Sequence, residues 1–354
     1  MEMPMTASPS IEICQVVMQG TWSETGALAQ CAETQGHAAF GICDSPMMCR
    51  DMHLGCAASV LATEQLRIIT AVTNPVTRHP SIMASGFAQL HEMAPGRVVC
   101  GIATGDSAVW GVGLRPSKVA ELREYILAMK ALTRGETAHF EGAEFSQRWE
   151  KYQPFELPVL VACSGPRMIR MASQVADGLI LAVGVSPEDL QWANTLIEEA
   201  CAEVGRDPGT LEIWQYAEVT CTANRELAAE NSLGLFTHWM TMGSTHGKRI
   251  PEEFIEPLHK LNEGSQNLDT SYGDKDRGSK LVARAKELGL YDWIISRAPC
   301  LWGTPLDIAE RMMTLRDRGI SRWMVYPEGA DLSSFEVAEA LGETRRLIFH
   351  QSGS

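Results

Sequence analysis

Eight short apolar runs recur along the chain, each followed by a longer amphipathic or polar stretch. They lie at residues 11–17, 39–43, 66–72, 97–103, 158–163, 178–183, 211–219 and 322–326. Runs this short and this rich in Val, Ile, Leu and Ala read as strands buried on both faces. Parallel strands need crossover connections, and the intervening stretches supply helices for them. In residues 118–133, Val119, Leu122, Ile126, Met129 and Leu132 share one helical face. Residues 305–318 open on a proline and are followed by Gly319, the expected order of helix start and stop signals. The pattern predicts the α/β class and a closed (β/α)8 TIM barrel rather than an open sheet. A chain of 354 residues accommodates this as one domain, 1–354.

Two regions break the alternation. Residues 136–155 form a polar and aromatic connection before the fifth strand, and residues 237–299 form a long insertion between strands seven and eight. Within the insertion, SQNLDTSYGDKDRGSK reads as an exposed loop, with short helices around 251–261 and 279–288. Insertions of this length after a barrel strand shape the active-site mouth, so 237–299 is expected to be a lid. The tail, 333–349, reads as a packing helix.

Charge narrows the partners. Lys and Arg number 30 against 44 Asp and Glu, a net charge of −14. Nucleic-acid binding needs a basic stripe that releases counterions, and anionic membranes repel an acidic surface. Neither partner is expected. The 10 cysteines are scattered without a CxxC pair, which argues against a zinc knuckle or a thioredoxin-type centre and for a reducing cytoplasm. The segment MEMPMTASPS has no basic stretch leading into an apolar one, so no signal peptide is expected, and GLILAVGV is too short to span a bilayer.

Chemistry in such a barrel sits at the C-terminal strand ends. That rule nominates Cys43-Asp44-Ser45, Ala71-Val72-Thr73-Asn74-Pro75 leading to Arg78-His79-Pro80, Ala103-Thr104-Gly105-Asp106-Ser107, Cys163-Ser164-Gly165-Pro166-Arg167, and Ala182-Val183-Gly184. Ser164-Gly165-Pro166 reads either as a phosphate cradle at a helix start or as a plain strand-to-helix turn. Asp106 reads either as a catalytic carboxylate or as a helix cap. Asp44 and Asp106 alone do not make a metal-ligand cluster, so no metal is expected. There is no GxGxxG, GxSxG or P-loop.

The runs AVTNPVTRHPSIMASGFAQLHE, GRVVCGIATGDSAVWGVGLRP and PVLVACSGPRMIRMASQVADGLIL resemble the luciferase-like monooxygenase superfamily, nearest its methylenetetrahydromethanopterin-reductase-like branch. The resemblance covers about residues 11–185, with GTPLDIAERM near the last strand. It implies a barrel that binds FMN or the deazaflavin coenzyme F420, and a cis Ala71–Val72 peptide behind the flavin ring. It further implies Ala71, Val72 and Thr73 as ring platform, Thr104 and Gly105 beside the ring, and Asp106 as the acid, with Asp44 and His79 as further catalytic candidates. Ser164 and Gly165, with Ala182, Val183 and Gly184, match phosphate-binding loops. Two departures matter. The hydroxyl and lysine residues of many deazaflavin enzymes after strand six are absent, which tilts the expectation toward FMN. Ser45 stands where some relatives carry a histidine. The leading expectation is therefore an FMNH2-using monooxygenase acting on a small organic substrate, served by a separate flavin reductase. The alternative is F420-dependent hydride transfer. A homodimer through the helix at 52–63 is implied as well. His53, His238, Trp239, His246, Cys43, Trp110 and Arg297 are secondary candidates for pocket or lid roles, each with packing, capping or surface pairing as its plainer reading.

Overall fold

The computed structural model describes residues 10–149, 151–224, 233–263, 277–327 and 332–352. The first half runs β1 (Glu12–Val17), α1 (Trp22–Thr34), β2 (Ala39–Ile42), α2 (Met52–Ala62), β3 (Arg67–Thr70), α3 (Pro80–Met93), β4 (Val98–Ile102), α4 (Ser107–Trp110) and α5 (Val119–Thr133). It continues with β5 (Ala138–Phe140), β6 (Ala143–Phe145), β7 (Val159–Cys163), α6 (Pro166–Val175), β8 (Gly178–Leu181), α7 (Pro187–Glu203) and β9 (Glu212–Cys221). The insertion holds α8 (Gly234–Thr241), α9 (Glu252–Leu261), α10 (Arg277–Glu287), α11 (Tyr291–Arg297) and β10 (Leu301–Gly303). The chain closes with α12 (Pro305–Arg316), β11 (Arg322–Pro327) and α13 (Ser334–Ser352).

The strands β11, β1, β2, β3, β4, β7, β8 and β9 pair in parallel in that order, and β9 pairs back onto β11. The sheet is thus a closed eight-stranded barrel, built from the eight runs read in the sequence. Inward-facing positions such as Val16, Ile69, Val99, Leu160, Ile180, Trp214 and Met324 fill its interior. Outward positions pack under the helices, as Phe40, Ile68 and Val161 do. The N-terminal mouth is closed by Arg67, whose guanidinium donates to both Glu212 oxygens at 2.8 and 3.0 Å. Trp214 Nε1 donates to the same carboxylate at 2.6 Å. Each buried donor there has a charged acceptor, which the low-dielectric interior requires.

The departures from expectation are local. The connection 136–155 contains a hairpin, β5–β6, turned through Glu141 and Gly142 at φ 50° and 76°, as a two-residue turn of the right twist needs. The insertion has its own small core of Leu233, Phe236, Met240, Leu258, Leu261, Val282 and Ile294. Helices α9 and α10 match the two expected there. Helices α8 and α11 are 8 and 7 residues long, too short for a helical period to stand out. Strand β10 pairs Leu301 with Val219 on the far end of β9. The segment read as an exposed loop, 265–280, lies outside the described residues up to 276, and its last four residues open α10 instead. On α2, Met52, Cys56 and Val60 turn into the barrel core, and only Leu61 of the residues expected at a dimer face is exposed. No described helix is long and apolar enough to cross a membrane.

His37, just before β2, is buried against α13, and burial together with the nearby Arg345 charge lowers its pKa to about 4. Its unfolded value is near ~6.5, so the unfolded chain binds the extra proton first as pH falls. This contribution is complete above pH ~6.5 and is lost on the way down through about 4. From pH 7 to 5 it removes about 2 kcal/mol of stability. Urea midpoints for wild type and His37→Gln at both pH values should differ accordingly, with the variant's fall smaller by that amount.

Candidate active site

The C-terminal strand ends surround a cavity of about 1770 Å³, larger than common small-ligand pockets of ~300–1,000 Å³. Its floor is apolar, with Val16, Ala162, Ile180 and Met324 from the barrel interior. Strand β3 leaves its ladder after Thr70, the Ala71–Val72 peptide is cis, and Thr73 N rejoins β4 at Gly101 O, 2.9 Å away. Ala71 and Val72 therefore form a bulge on the cavity wall, as the resemblance implied. Beside it, Asn74 uses its side-chain oxygen for Val76 N and Thr77 N, both at 2.9 Å. Its Nδ2 is buried without a hydrogen-bond partner among the described residues. A buried amide donor left open in this way is costly unless a ligand oxygen meets it.

The next wall comes from the turn after β4. Gly105 adopts φ 108°, and a Cβ there would meet Val109, so glycine is required by both backbone and space. The turn presents Thr104 and Asp106 to the cavity. Asp106 makes no side-chain cap for α4, which removes the plainer reading of this residue. Among the described residues Asp106 Oδ1 is buried without a hydrogen-bond partner, and Oδ2 lies 3.3 Å from His238 Nε2 of the insertion, a contact without hydrogen-bond geometry. Ser107 is joined to Ser45 by a 2.6 Å hydrogen bond between their hydroxyls.

Opposite, Gly165 is the N-cap of α6 with no side-chain cap, and Pro166 occupies the first turn. Unpaired N–H groups and the helix dipole favour an anion at such a start. Across it lies Lys248 from the insertion, 8% exposed. A Cβ on residue 165 would come within 3.0 Å of Lys248 Cε, so glycine makes room for the lysine stem. Lys248 Nζ donates to Trp239 O at 2.8 Å and Met242 O at 2.6 Å, with Ser164 Oγ 3.4 Å away. No carboxylate pairs with it among the described residues, and burial lowers its pKa to about 8. Further out, Arg115, Arg123 and Arg167 line the cavity and form no ion pair among the described residues. The roof is completed by Trp239, edge-on to Tyr216 at 4.3 Å, with Met242 and His246.

Of the residues nominated from sequence, the fold brings Asp44, Ala71, Val72, Thr73, Thr104, Gly105, Asp106, Ser164, Gly165 and Ala182 to this cavity. It does not bring His79, Val183 or Gly184. His79 is exposed and caps α3, accepting from Ser81 N at 3.3 Å, with Phe140 and Phe145 of the hairpin at 5.5 and 5.1 Å. Val183 is buried and its carbonyl accepts from Gln215 Nε2 at 3.1 Å. Gly184 is glycine because the Asp189 carboxylate occupies the space a side chain would take. Asp189 in turn binds Arg297 through Nε and Nη2 at 2.9 and 2.7 Å, so Arg297 is an anchor of the insertion and not a substrate ligand. Asp44 lines the cavity but is engaged by Thr73 Oγ1 and Arg78 Nη1, each at 2.6 Å. That pairing suits it to holding the β3 loop rather than to moving a proton. Cys43 lines the wall with its thiol pushed upward in pKa by burial, which keeps it protonated. His53 lies beneath Gly86 and outside the cavity. Trp110 lines the cavity and stands edge-on to His238.

A sequence profile of the luciferase-like monooxygenase family matches residues 5–322. The chain belongs to this family. Among curated relatives, this luciferase-like oxidoreductase is 26% identical to a 5,10-methylenetetrahydromethanopterin reductase of Archaeoglobus fulgidus over 271 residues, 74% of this chain and 77% of the relative. It is 36% identical to an F420-dependent glucose-6-phosphate dehydrogenase of Beutenbergia cavernae over 222 residues, 59% of this chain and 63% of the relative. Among solved structures, the coenzyme F420-dependent tetrahydromethanopterin reductase of Methanopyrus kandleri superposes with a TM-score of 0.72 at 19% identity, covering 94% of this chain and 97% of that one. That likeness establishes the shared barrel.

Three contributors to the cavity were beyond sequence reasoning, Lys248, Arg115 and Arg123, while Arg167 was nominated with the turn after the fifth strand but given no role. Lys248 follows Gly247 at φ 77°, a turn signal inside a region that resembles nothing usable. The arginines sit in or beside helices where a solvated face was the default.

Asp189→Asn leaves Arg297 buried without its countercharge, and breaking a buried pair this way costs ~3–5 kcal/mol. The expected result is a lowered urea midpoint, with proteolytic cleavage within 233–299 accelerating more than cleavage in the barrel.

Proposed function

We propose that this protein is a coenzyme F420-dependent oxidoreductase that moves a hydride between the deazaflavin and a small neutral organic substrate. The observation that carries the reading is the run of unpaired cations, Arg115, Arg123 and Arg167, along the outer cavity, with Lys248 deeper inside. The expectation of FMN rested on missing basic residues after strand six. The cations are present but come from the loop before α5, from α5, from α6 and from the insertion. FMN ends at one phosphate, whereas F420 continues into a polyanionic tail, which suits a cationic groove. The relatives named for F420 support the same choice. A separate flavin reductase has no role in it.

The cavity fits such a coenzyme. The Asn74 amide donor and the Asp106 carboxylate flank the bulge at Ala71–Val72, and the uncapped start of α6 with Ser164 and Lys248 suits a phosphate. The coenzyme, when bound, supplies the hydride-accepting or hydride-donating ring. The protein's residues orient that ring, keep water out beneath Trp239 and Met242, and exchange the substrate's proton at Asp106. Tyr216, Tyr326 and Met324 give the substrate side apolar walls without a fixed charge. On the outer surface, Met47, Leu54, Leu61 and Ile82 are 57–66% exposed. They support a second copy of the chain on this side of the barrel.

Titration calorimetry with oxidised F420 and with FMN tests the reading. F420 is expected to bind at least tenfold more tightly, and FMN binding as well or better would overturn it. Replacing Arg115, Arg123 and Arg167 together by Ala should weaken F420 by roughly tenfold at low salt and flatten its salt dependence, since each exposed pair is worth ~0.2–1 kcal/mol. Affinity should hold constant below pH 8 and fall above it as Lys248 loses its proton at about 8, a fall that Lys248→Met abolishes. Asp106→Asn should lower kcat by ~10²–10⁴-fold with little change in coenzyme Kd.

A further inference from the structure

A bond between two serine hydroxyls crosses the rim at the end of β3. Ser45 lies in the loop after β2, and Ser107 opens α4 after β4. Their hydroxyl oxygens are 2.6 Å apart, at the short end of the range for such a pair. Strands β2 and β4 are the two neighbours of β3 in the barrel. The bond therefore spans the strand end where Ala71 and Val72 form the bulge. Both serines are half-buried and line the cavity.

Each serine is held firmly within its own loop. Ser45 heads a tight turn, and its carbonyl accepts from Met48 N at 2.8 Å and Cys49 N at 2.9 Å. The Cys49 thiol grips the same residue twice, accepting from Ser45 N and donating to Ser45 O, both at 3.3 Å. Burial pushes that thiol up in pKa, so it keeps the proton it donates. On the other side Ser107 O accepts from Gly111 N at 3.0 Å, and Asp106 O accepts from Val109 N at 2.9 Å and Trp110 N at 3.1 Å. These bonds hold each loop to itself. The Asp106 side chain adds no cap, and the hydroxyl bond is what ties the turn carrying Asp106 to the loop after β2.

We propose that Ser45 and Ser107 are positioning residues, a clasp that fixes the Asp106 turn and sets the width of the slot in which a planar ring lies against Ala71 and Val72. Walls held at a fixed spacing before a ligand arrives bind it at a smaller ordering cost. A wall that drifts by about 1 Å is enough to spoil the alignment of reacting groups. Either hydroxyl can donate or accept, so the pair bonds whichever way its proton points. Alanine at either position removes the bond, and threonine at position 45 keeps a hydroxyl for it. The use of the slot for a deazaflavin ring rests on the hydride-transfer reading; the clasp itself does not.

Two measurements test the proposal. In the coenzyme-free protein, NMR-detected hydrogen exchange at the amides of Val109, Trp110 and Gly111 should quicken about tenfold in Ser45→Ala, while the β4 amides keep their rates. Unchanged rates at those three amides overturn the clasp. In titration calorimetry with oxidised F420, Ser45→Ala and Ser107→Ala should each raise Kd about tenfold at an unchanged urea midpoint. The double variant should bind no more weakly than either single one, because both remove the same bond. Ser45→Thr should stay within about twofold of wild type. Single variants that bind as wild type does, a double variant weakened by the product of the two losses, or a threonine variant no better than alanine overturns the positioning role. Should F420 fail to bind wild type, the hydride-transfer reading falls, while the exchange rates still decide the clasp.

Discussion

A barrel of parallel strands ends every strand at the same rim, and everything else in this protein follows from that constraint. The backbone leaves its ladders there, so loops from β2, β3, β4 and β7 converge on one space. Residues far apart in sequence then share a cavity, as Asp44, Asn74, Asp106 and Ser164 do. The opposite mouth is sealed by Arg67, Glu212 and Trp214. Stability and chemistry thus occupy different ends of one cylinder, and the rim is free to carry buried polar groups that a packed core could not tolerate.

The insertion completes the site instead of merely covering it. It is fastened to the barrel by a buried ion pair, Asp189 with Arg297, supplemented by Arg249 at 3.3 Å from the same carboxylate. Fastened there, it sends Lys248 across the start of α6 and His238 onto Asp106. The lysine crosses a helix start that suits an anion, and the histidine lies 3.3 Å from the Asp106 carboxylate. Loss of the anchor would therefore be felt at both.

How much of this could be read beforehand depended on the range of the interaction involved. All eight barrel strands were legible, because burial on both faces imposes continuous apolar runs. The strand-to-helix turns at Gly165 and Gly105 were legible too, since close approach to Lys248 at one and positive φ at the other demand glycine locally. His79 was misjudged because a histidine before a proline-led helix is equally able to cap it, and the exposed position decides for capping. Gly184 was read as a phosphate loop, yet its missing side chain serves the Asp189 carboxylate. The expectation of FMN looked for cations at one strand end, whereas the fold gathers them from four other segments.

The amino-acid order alone determined the parallel strands and the closed barrel and nominated its rim, because those follow from periodicity and turn residues within a few positions. The tertiary structure alone decided which charges meet: Lys248 beside Ser164, His238 beside Asp106, Arg297 with Asp189. Such encounters depend on how a 60-residue-scale insertion folds back over the rim. Electrostatic partnership across that distance leaves no periodic trace in the chain, since any charged residue on a short helix or loop looks solvated until its partner is in view.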